Sequence, residues 1–79
     1  MGNPADTRDS LRVLRQSWRH EVEAAATYRL LAEQERDPRH REILRKLLEA
    51  EETHAARWAG RIRDLGGTVP DASTAGSTG

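Results

Sequence analysis

Apolar side chains recur at helical spacing along two long stretches of the chain, from about Thr7 to Arg36 and from about Pro38 to Leu65. Within each stretch most of them follow one another three or four residues apart, which places them on one face of an α-helix. They are Leu11, Leu14, Trp18, Val22, Ala25, Tyr28, Leu31 and Ala32 in the first stretch, and Ile43, Leu44, Leu47, Leu48, Trp58, Ile62 and Leu65 in the second. The pattern predicts an all-α fold of two amphipathic helices.

Two short breaks separate and end these helices. Asp37-Pro38 interrupts the pattern, because proline is disfavoured inside a helix but suits its first position, where aspartate is a good preceding N-cap. Gly66-Gly67 predicts the end of the second helix. The sequence therefore predicts an antiparallel two-helix hairpin that turns at Asp37-Pro38.

The hairpin is expected to occupy residues 7–67. Asp6 or Thr7 is a suitable N-cap for its first helix, so residues 1–6 are predicted to be a disordered lead-in. Residues 68–79 are small and polar, which favours a flexible linker or tail.

Composition limits what such a hairpin can do alone. A chain of 79 residues is one small domain at most, and a core of this size is marginal without a disulfide, a metal ion or a partner chain. Cysteine is absent, which leaves metal binding or oligomerisation. The 13 basic residues balance the 13 acidic ones, so nothing favours a nucleic acid or an anionic membrane as partner. No apolar run approaches the ~20 residues of a membrane-spanning helix, and Met1-Gly2-Asn3-Pro4 begins no signal peptide.

Three ionisable residues interrupt the apolar seams of the two helices. Read as heptads, the first seam carries Glu21 between Trp18 and Ala25, and the second carries Glu51 and His54. Glu51 and His54 are three residues apart, which places them on one helix face, about 5–6 Å apart at Cβ. Residues equally distant from the turn lie at one level of an antiparallel hairpin, so all three are predicted to share one layer of the core.

This layer is interpreted as a metal site. Two unpaired buried carboxylates cost several kcal/mol each, one histidine offsets only part of that, and a divalent cation removes it. The alternatives are a polar layer that fixes helix register, or charges turned towards solvent. Trp18 and Trp58 are expected to bracket the layer as core anchors that also keep water from the metal. Tyr28 is either a plain core residue or a hydrogen-bond donor to a ligand carboxylate.

One hairpin supplies half of a known set of ligands. Di-iron carboxylate bundles use one Glu from each of two helices and Glu-x-x-His from each of the other two. A homodimer of this hairpin would supply that set from two copies each of Glu21, Glu51 and His54. Oxygen-rich ligands with one nitrogen per metal suit Fe²⁺ or Mn²⁺, which predicts two iron ions per dimer, with manganese as the alternative.

The same residues carry a resemblance to a family. The motif Trp18-x-x-Glu21-x-x-x-Ala25-x-x-Tyr28, followed by Asp37-Pro38 and Glu51-x-x-His54-Ala55-x-x-Trp58, resembles the ferritin-like half-domains of the rubrerythrin group over residues 11–66. It is nearest to the N-terminal ferritin-like domain found ahead of vacuolar iron transporter family proteins, and its layout is similar to that of encapsulated ferritins.

The resemblance implies a cytoplasmic iron-binding domain that oxidises Fe²⁺ with O₂, with Glu21, Glu51 and His54 as ligands and Tyr28 beside them. It also implies a membrane iron transporter domain or a storage compartment as the partner, and assembly beyond the dimer is open. The chain departs from the family in three ways. It has one half-domain, it lacks a rubredoxin-type Cys motif, and its tail lacks the apolar pattern of an encapsulin-targeting peptide.

Two other functions remain open from the residues alone. One is a non-catalytic hairpin that serves as a dimerisation or docking module. The other is a domain that binds or delivers iron through the same ligands without turnover.

Overall fold

The computed structural model describes residues 3–70, and this part of the chain consists of two α-helices without a strand. Helix α1 spans Pro4–Gln34 and helix α2 spans Pro38–Asp64. The two helices pack against each other as an antiparallel hairpin, which confirms the predicted all-α fold. At 1.5 Å per residue, the 31 residues of α1 extend about 46 Å.

Helix α1 begins earlier than predicted. Asn3 is its N-cap, with a side-chain oxygen that accepts a hydrogen bond from the Asp6 backbone N–H at 3.0 Å, and Pro4 occupies the first turn. The prediction of a cap at Asp6 or Thr7 and of disorder throughout residues 1–6 is therefore wrong for residues 3–6. The apolar pattern could not reveal this first helical turn of α1, because an asparagine–proline pair starts a helix without contributing an apolar side chain to its seam.

The turn between the helices lies where the sequence predicts it. Asp37 caps α2 by accepting a hydrogen bond from the Arg39 backbone N–H at 2.9 Å, and Pro38 is the first helical residue. Arg41 reaches back across the turn and donates from Nε and Nη2 to the Glu35 carbonyl oxygen, at 3.1 and 2.8 Å. A cationic side chain therefore satisfies a carbonyl that the end of α1 leaves without an intrahelical donor.

The predicted glycine stop also ends α2. Gly66 adopts a φ of 80°, and the Gly67 backbone N–H donates to the Ile62 carbonyl at 2.9 Å, which is the hydrogen bond of a Schellman cap. A Cβ atom at Gly67 would lie 2.5 Å from Leu11 Cδ2 and 3.2 Å from Ile62 Cγ2. Gly67 is thus required because the chain passes against α1 at this point.

The chain continues along α1 after this cap. Arg15 donates from Nε to the Thr68 carbonyl oxygen at 3.2 Å, and Val69 packs against the core. The predicted flexible tail therefore begins later than residue 68, because Thr68 and Val69 are held against the hairpin. The remainder of that predicted tail, residues 71–79, lies outside the described part of the chain.

The core lies towards the open end of the hairpin. Trp18 and Ile62 are 5% and 0% exposed, and Ala59 is buried with them. Ala25 and Ala32 continue the buried line of α1 towards the turn, as their heptad positions predict. The apolar seam of α2 is displaced from its predicted position, because the buried residue at this level of the hairpin is Ala59 and not Trp58. A straight helix drifts relative to a strict seven-residue repeat, so the contact face moves by about one residue along α2.

Two helices leave a large part of their apolar surface uncovered. Leu47 and Leu65, both members of the predicted seam, are 40% and 43% exposed, and Ile43 is 56% exposed. On α1, Val13 and Leu31 are also exposed. These side chains have no neighbour within residues 3–70 that could bury them, because each helix has only one partner.

Candidate metal site

Three potential metal ligands from the two helices lie together near the middle of the hairpin. The His54 Nδ1 atom is 3.4 Å from Glu51 Oε1 and 3.7 Å from Glu21 Oε2. One ligand atom from each residue lies within 4.8 Å of the other two. The structure therefore brings together the three residues that interrupt the predicted seams.

Local helix geometry and the turn together create this arrangement. Glu51 and His54 are one helical turn apart on α2 and share a face. Glu21 reaches the same level from α1, since the turn at Asp37 sets where α1 and α2 pass each other. The packed layer of Trp18 and Ile62 then holds the two helices in contact beyond this level.

The triad is less buried than the sequence predicts. The side chains of Glu21 and Glu51 are 18% and 20% exposed, and that of His54 is 47% exposed. The expected core layer is therefore an open face of the single hairpin, because the residues lie at the edge of the α1–α2 contact and no third helix from residues 3–70 covers them. The desolvation cost of two fully buried carboxylates is consequently only partly incurred in the isolated hairpin.

The neighbouring Glu21 carboxylate nevertheless changes the pKa of Glu51. Its pKa is raised above the ordinary value, chiefly because it shares a hydrogen bond with Glu21, with further contributions from partial burial and from repulsion by the Glu21 charge. His54 partly opposes this shift. A cation placed between the two carboxylates would stabilise both in the ionised form.

The separations suit a small divalent ion after a minor adjustment. Two ligand atoms that each bind one ion at about 2.1 Å lie about 3.0 Å apart when they are adjacent in octahedral geometry. The 3.4 and 3.7 Å separations from His54 Nδ1 are within 1 Å of that value. One protomer offers two carboxylates and one imidazole, which leaves an octahedral ion with further positions to fill.

The other residues expected around the site have different roles in the hairpin. Trp18 is a core residue, as predicted. Trp58 is half-buried and lines a groove with Glu21 and His54, so it lies beside the triad. Tyr28 is half-buried, and within residues 3–70 its hydroxyl makes no hydrogen bond to Glu21. Of the two roles considered for Tyr28, the hydrogen bond to a ligand carboxylate is thus not made within the described part of the hairpin.

Two arginines near the triad were missed by the sequence argument. Arg57 and Arg61 line the same groove as His54, and the Arg61 guanidinium lies 5.3 Å from the centroid of the Trp58 ring. The signal was present in the spacing, since positions i, i+3 and i+7 from His54 share a helix face. A neighbouring glutamate, Glu52, points elsewhere and pairs with Arg29 of α1 at 3.0 Å.

The described residues add one negative finding about membranes. Within residues 3–70, neither helix combines the length and the apolar character that crossing a bilayer requires.

The ferritin-like resemblance and the cytoplasmic location remain predictions from the sequence. Comparison of the chain with protein-family models, with curated proteins and with solved structures gives no match.

Proposed function

We propose that the chain is an iron-binding hairpin that homodimerises into a four-helix bundle and oxidises Fe²⁺ with O₂ at a shared two-metal site. The observation that carries this proposal is the convergence of Glu21, Glu51 and His54 from two helices, with one ligand atom from each within 4.8 Å of the others. Two hairpins related by a two-fold axis would supply four carboxylates and two imidazoles, which is the ligand set of a di-iron carboxylate bundle.

The uncovered apolar side chains support the dimer. On α2, Leu47 precedes His54 by seven residues, so the two lie on one face, and Ile43 continues that face towards the turn. On α1, Val13, Ala24 and Leu31 form a stripe beside Glu21 at helical spacing. A second hairpin packed on these side chains would bury them together with the triad.

The ligand set supports iron or manganese as the bound metal. Carboxylate oxygens dominate and one imidazole is added per ion, which suits Fe²⁺ and Mn²⁺ better than a structural zinc site rich in Cys and His. Binding requires both carboxylates ionised and His54 Nδ1 unprotonated, so metal uptake would release protons from the triad.

The proposed reaction uses Fe²⁺ as the substrate and O₂ as the oxidant. Two Fe²⁺ ions each lose one electron, and one O₂ accepts the two electrons with two protons to give hydrogen peroxide. A site that holds two ions together can deliver both electrons to one O₂ molecule, which one ion cannot do. Glu21, Glu51 and His54 hold the ions, and Trp58 lies beside them. Delivery of the product to a transporter domain or storage compartment would complete the role.

Native mass spectrometry after anaerobic loading with Fe²⁺ tests the proposal. It reports subunit number and bound metal in one measurement. We expect two irons per dimer in the wild type and none in the His54→Ala variant. The matched control is His40→Ala, because His40 is also on α2 but is exposed and pairs with Asp37, near the turn. Oxygen uptake by the loaded dimer then tests turnover. A monomer that binds no metal would overturn the proposal.

A second function, a dimerisation or docking module without metal, is favoured by the exposure of His54. The triad stands at an open face with the His54 side chain 47% exposed, so it does not need a metal ion to offset full burial, and the uncovered leucines would then serve association alone. This alternative predicts that apolar residues in place of Glu21, Glu51 and His54 preserve association and raise stability. It also predicts that a chelator leaves the melting temperature unchanged, whereas the iron proposal predicts a decrease.

A further inference from the structure

A groove extends from the triad towards the C-terminal end of α2. It is lined by Glu21, His54, Arg57, Trp58 and Arg61. His54, Arg57 and Arg61 follow one another at positions i, i+3 and i+7, so one face of α2 presents all three. The groove therefore joins two of the candidate metal ligands to two guanidinium groups.

The two arginines have no anionic partner in the hairpin. Among residues 3–70, no carboxylate lies within 4.0 Å of Arg57 or Arg61, and neither side chain donates a hydrogen bond. Arg61 also borders a neighbouring groove with Asp9 and Asp64 but pairs with neither. Its guanidinium is placed over Trp58, and stacking of this kind leaves the N–H groups at the guanidinium edge available.

The charges of the residues around the groove indicate which kind of ligand Arg57 and Arg61 would attract. Glu21 and Glu51 contribute two negative charges, and Arg57 and Arg61 contribute two positive ones. With both carboxylates ionised, these four charges sum to zero before metal binds, and each divalent ion leaves an excess of two positive charges. Two cations beside a metal site would weaken metal binding unless an anion joined them.

We propose that the groove binds a phosphoryl oxyanion that bridges the metal and the guanidinium groups of Arg57 and Arg61. The inference rests on the proposed metal site. A phosphate dianion supplies the two missing negative charges, and its oxygens match the paired N–H groups of arginine. Another of its oxygens fills a coordination position that Glu21, Glu51 and His54 leave open. Phosphate and metal then bind cooperatively, each strengthening the other by the same factor.

The simpler role for a basic residue at the end of α2 is interaction with the helix dipole. Arg61 and Arg63 both lie in the last turn, where positive charge is favourable. Arg63 does not line the groove. A substitution at Arg63 therefore removes a charge from the same turn without removing a groove residue, and it serves as the matched control.

The test measures Mn²⁺ affinity of the full chain with and without inorganic phosphate, with free Mn²⁺ read from its electron paramagnetic resonance signal. We expect phosphate to tighten Mn²⁺ binding by the wild type at least about 5-fold. The double variant Arg57→Gln, Arg61→Gln should lose this enhancement while it binds Mn²⁺ in phosphate-free buffer as tightly as the wild type, or more tightly. Arg63→Gln should retain the enhancement.

The outcomes separate this inference from the proposed function. Mn²⁺ binding that phosphate does not enhance in the wild type, or enhances equally in the double variant, overturns the oxyanion site and leaves the metal site standing. No Mn²⁺ binding under either condition overturns both. Enhancement that is present in the wild type and in Arg63→Gln but absent from the double variant establishes the site.

A second arm identifies the source of the phosphoryl group. Glycerol 3-phosphate replaces inorganic phosphate in the same titration. Enhancement by inorganic phosphate alone assigns the free ion as ligand, and enhancement by both assigns the phosphoryl group whether or not it is esterified. Failure of both compounds to enhance Mn²⁺ binding overturns the proposal.

Discussion

The Nδ1 atom of His54 on α2 lies 3.7 Å from Glu21 Oε2 on α1, although 32 residues separate the two along the chain. The turn at Asp37 and the packing of Trp18 against the α2 seam set this relationship. It converts an ordinary Glu-x-x-His pair on α2 into a three-residue cluster contributed by both helices.

Metal binding should depend on Glu51 and not on the adjacent Glu52. Glu51→Gln keeps the side-chain shape but removes a charged ligand, so we expect a loss of Mn²⁺ or Fe²⁺ affinity greater than the roughly 10–100-fold caused by mutating a residue that only supports a ligand. Glu52→Gln should leave affinity unchanged, because Glu52 pairs with Arg29 away from the triad. Anaerobic isothermal titration calorimetry measures both. Equal affinities in the two variants would contradict the assigned ligand.

Association should depend on the apolar face beside the triad. Leu47→Glu places a charge on that face, and we expect it to convert the dimer to a monomer at a concentration where the wild type is dimeric. Leu30→Glu is the control, since Leu30 is 54% exposed but shares a helix face with Arg12 and Arg19. Sedimentation velocity distinguishes the two species. Dissociation of both variants, or of neither, would count against this face as the interface.

The stability of the metal-free protein should decrease above the ordinary pKa of a carboxyl group. Because the pKa of Glu51 is raised in the folded state, that state retains the proton at a pH where the unfolded chain has lost it. The folded state then binds more protons, so the contribution of Glu51 to stability falls as pH rises from its ordinary value of 4.5 through the raised value, and is constant above it.

Thermal melts with chelator at a series of pH values measure this effect. We expect the melting temperature of the wild type, relative to that of Glu51→Gln, to fall over this interval and to level off above the raised pKa. The Gln side chain cannot ionise, so the difference isolates the Glu51 titration. A difference that is flat or rises with pH would show that Glu21 does not destabilise the Glu51 carboxylate.

The two glycines of α2 and its cap should respond to alanine in opposite directions. Gly67→Ala forces a Cβ against Leu11 and Ile62, and we expect a loss of about 1–3 kcal/mol. Gly60→Ala meets no atom within 4 Å inside a helix, and we expect a gain of about 0.5–1 kcal/mol. Chemical denaturation of both variants measures the free energy of unfolding. A stabilised Gly67→Ala protein would show that the chain does not pass against α1 at this point.

The sequence determined the two helices, the turn and the residues that meet at the triad. Apolar spacing is a local property of each helix, and Asp37-Pro38 and Gly66-Gly67 end helices through their own backbone restrictions. Once the turn was located, the antiparallel geometry alone placed Glu21 level with Glu51 and His54. The Asn3 cap, which starts α1 at Pro4, was not predicted, because a capping residue lies outside the apolar pattern.

The tertiary structure decided how exposed these residues are and what surrounds them. Burial depends on how many helices cover a face, and the spacing of apolar residues carries no information on that number. The triad was predicted for the core, but it lies on an open face of the hairpin. The same packing selects Ala59 over Trp58 as the buried residue and folds Thr68 and Val69 back onto α1. Helix packing also places Arg57 and Arg61 in one groove with His54. This groove forms only when α1, which contributes Glu21, packs beside that face of α2.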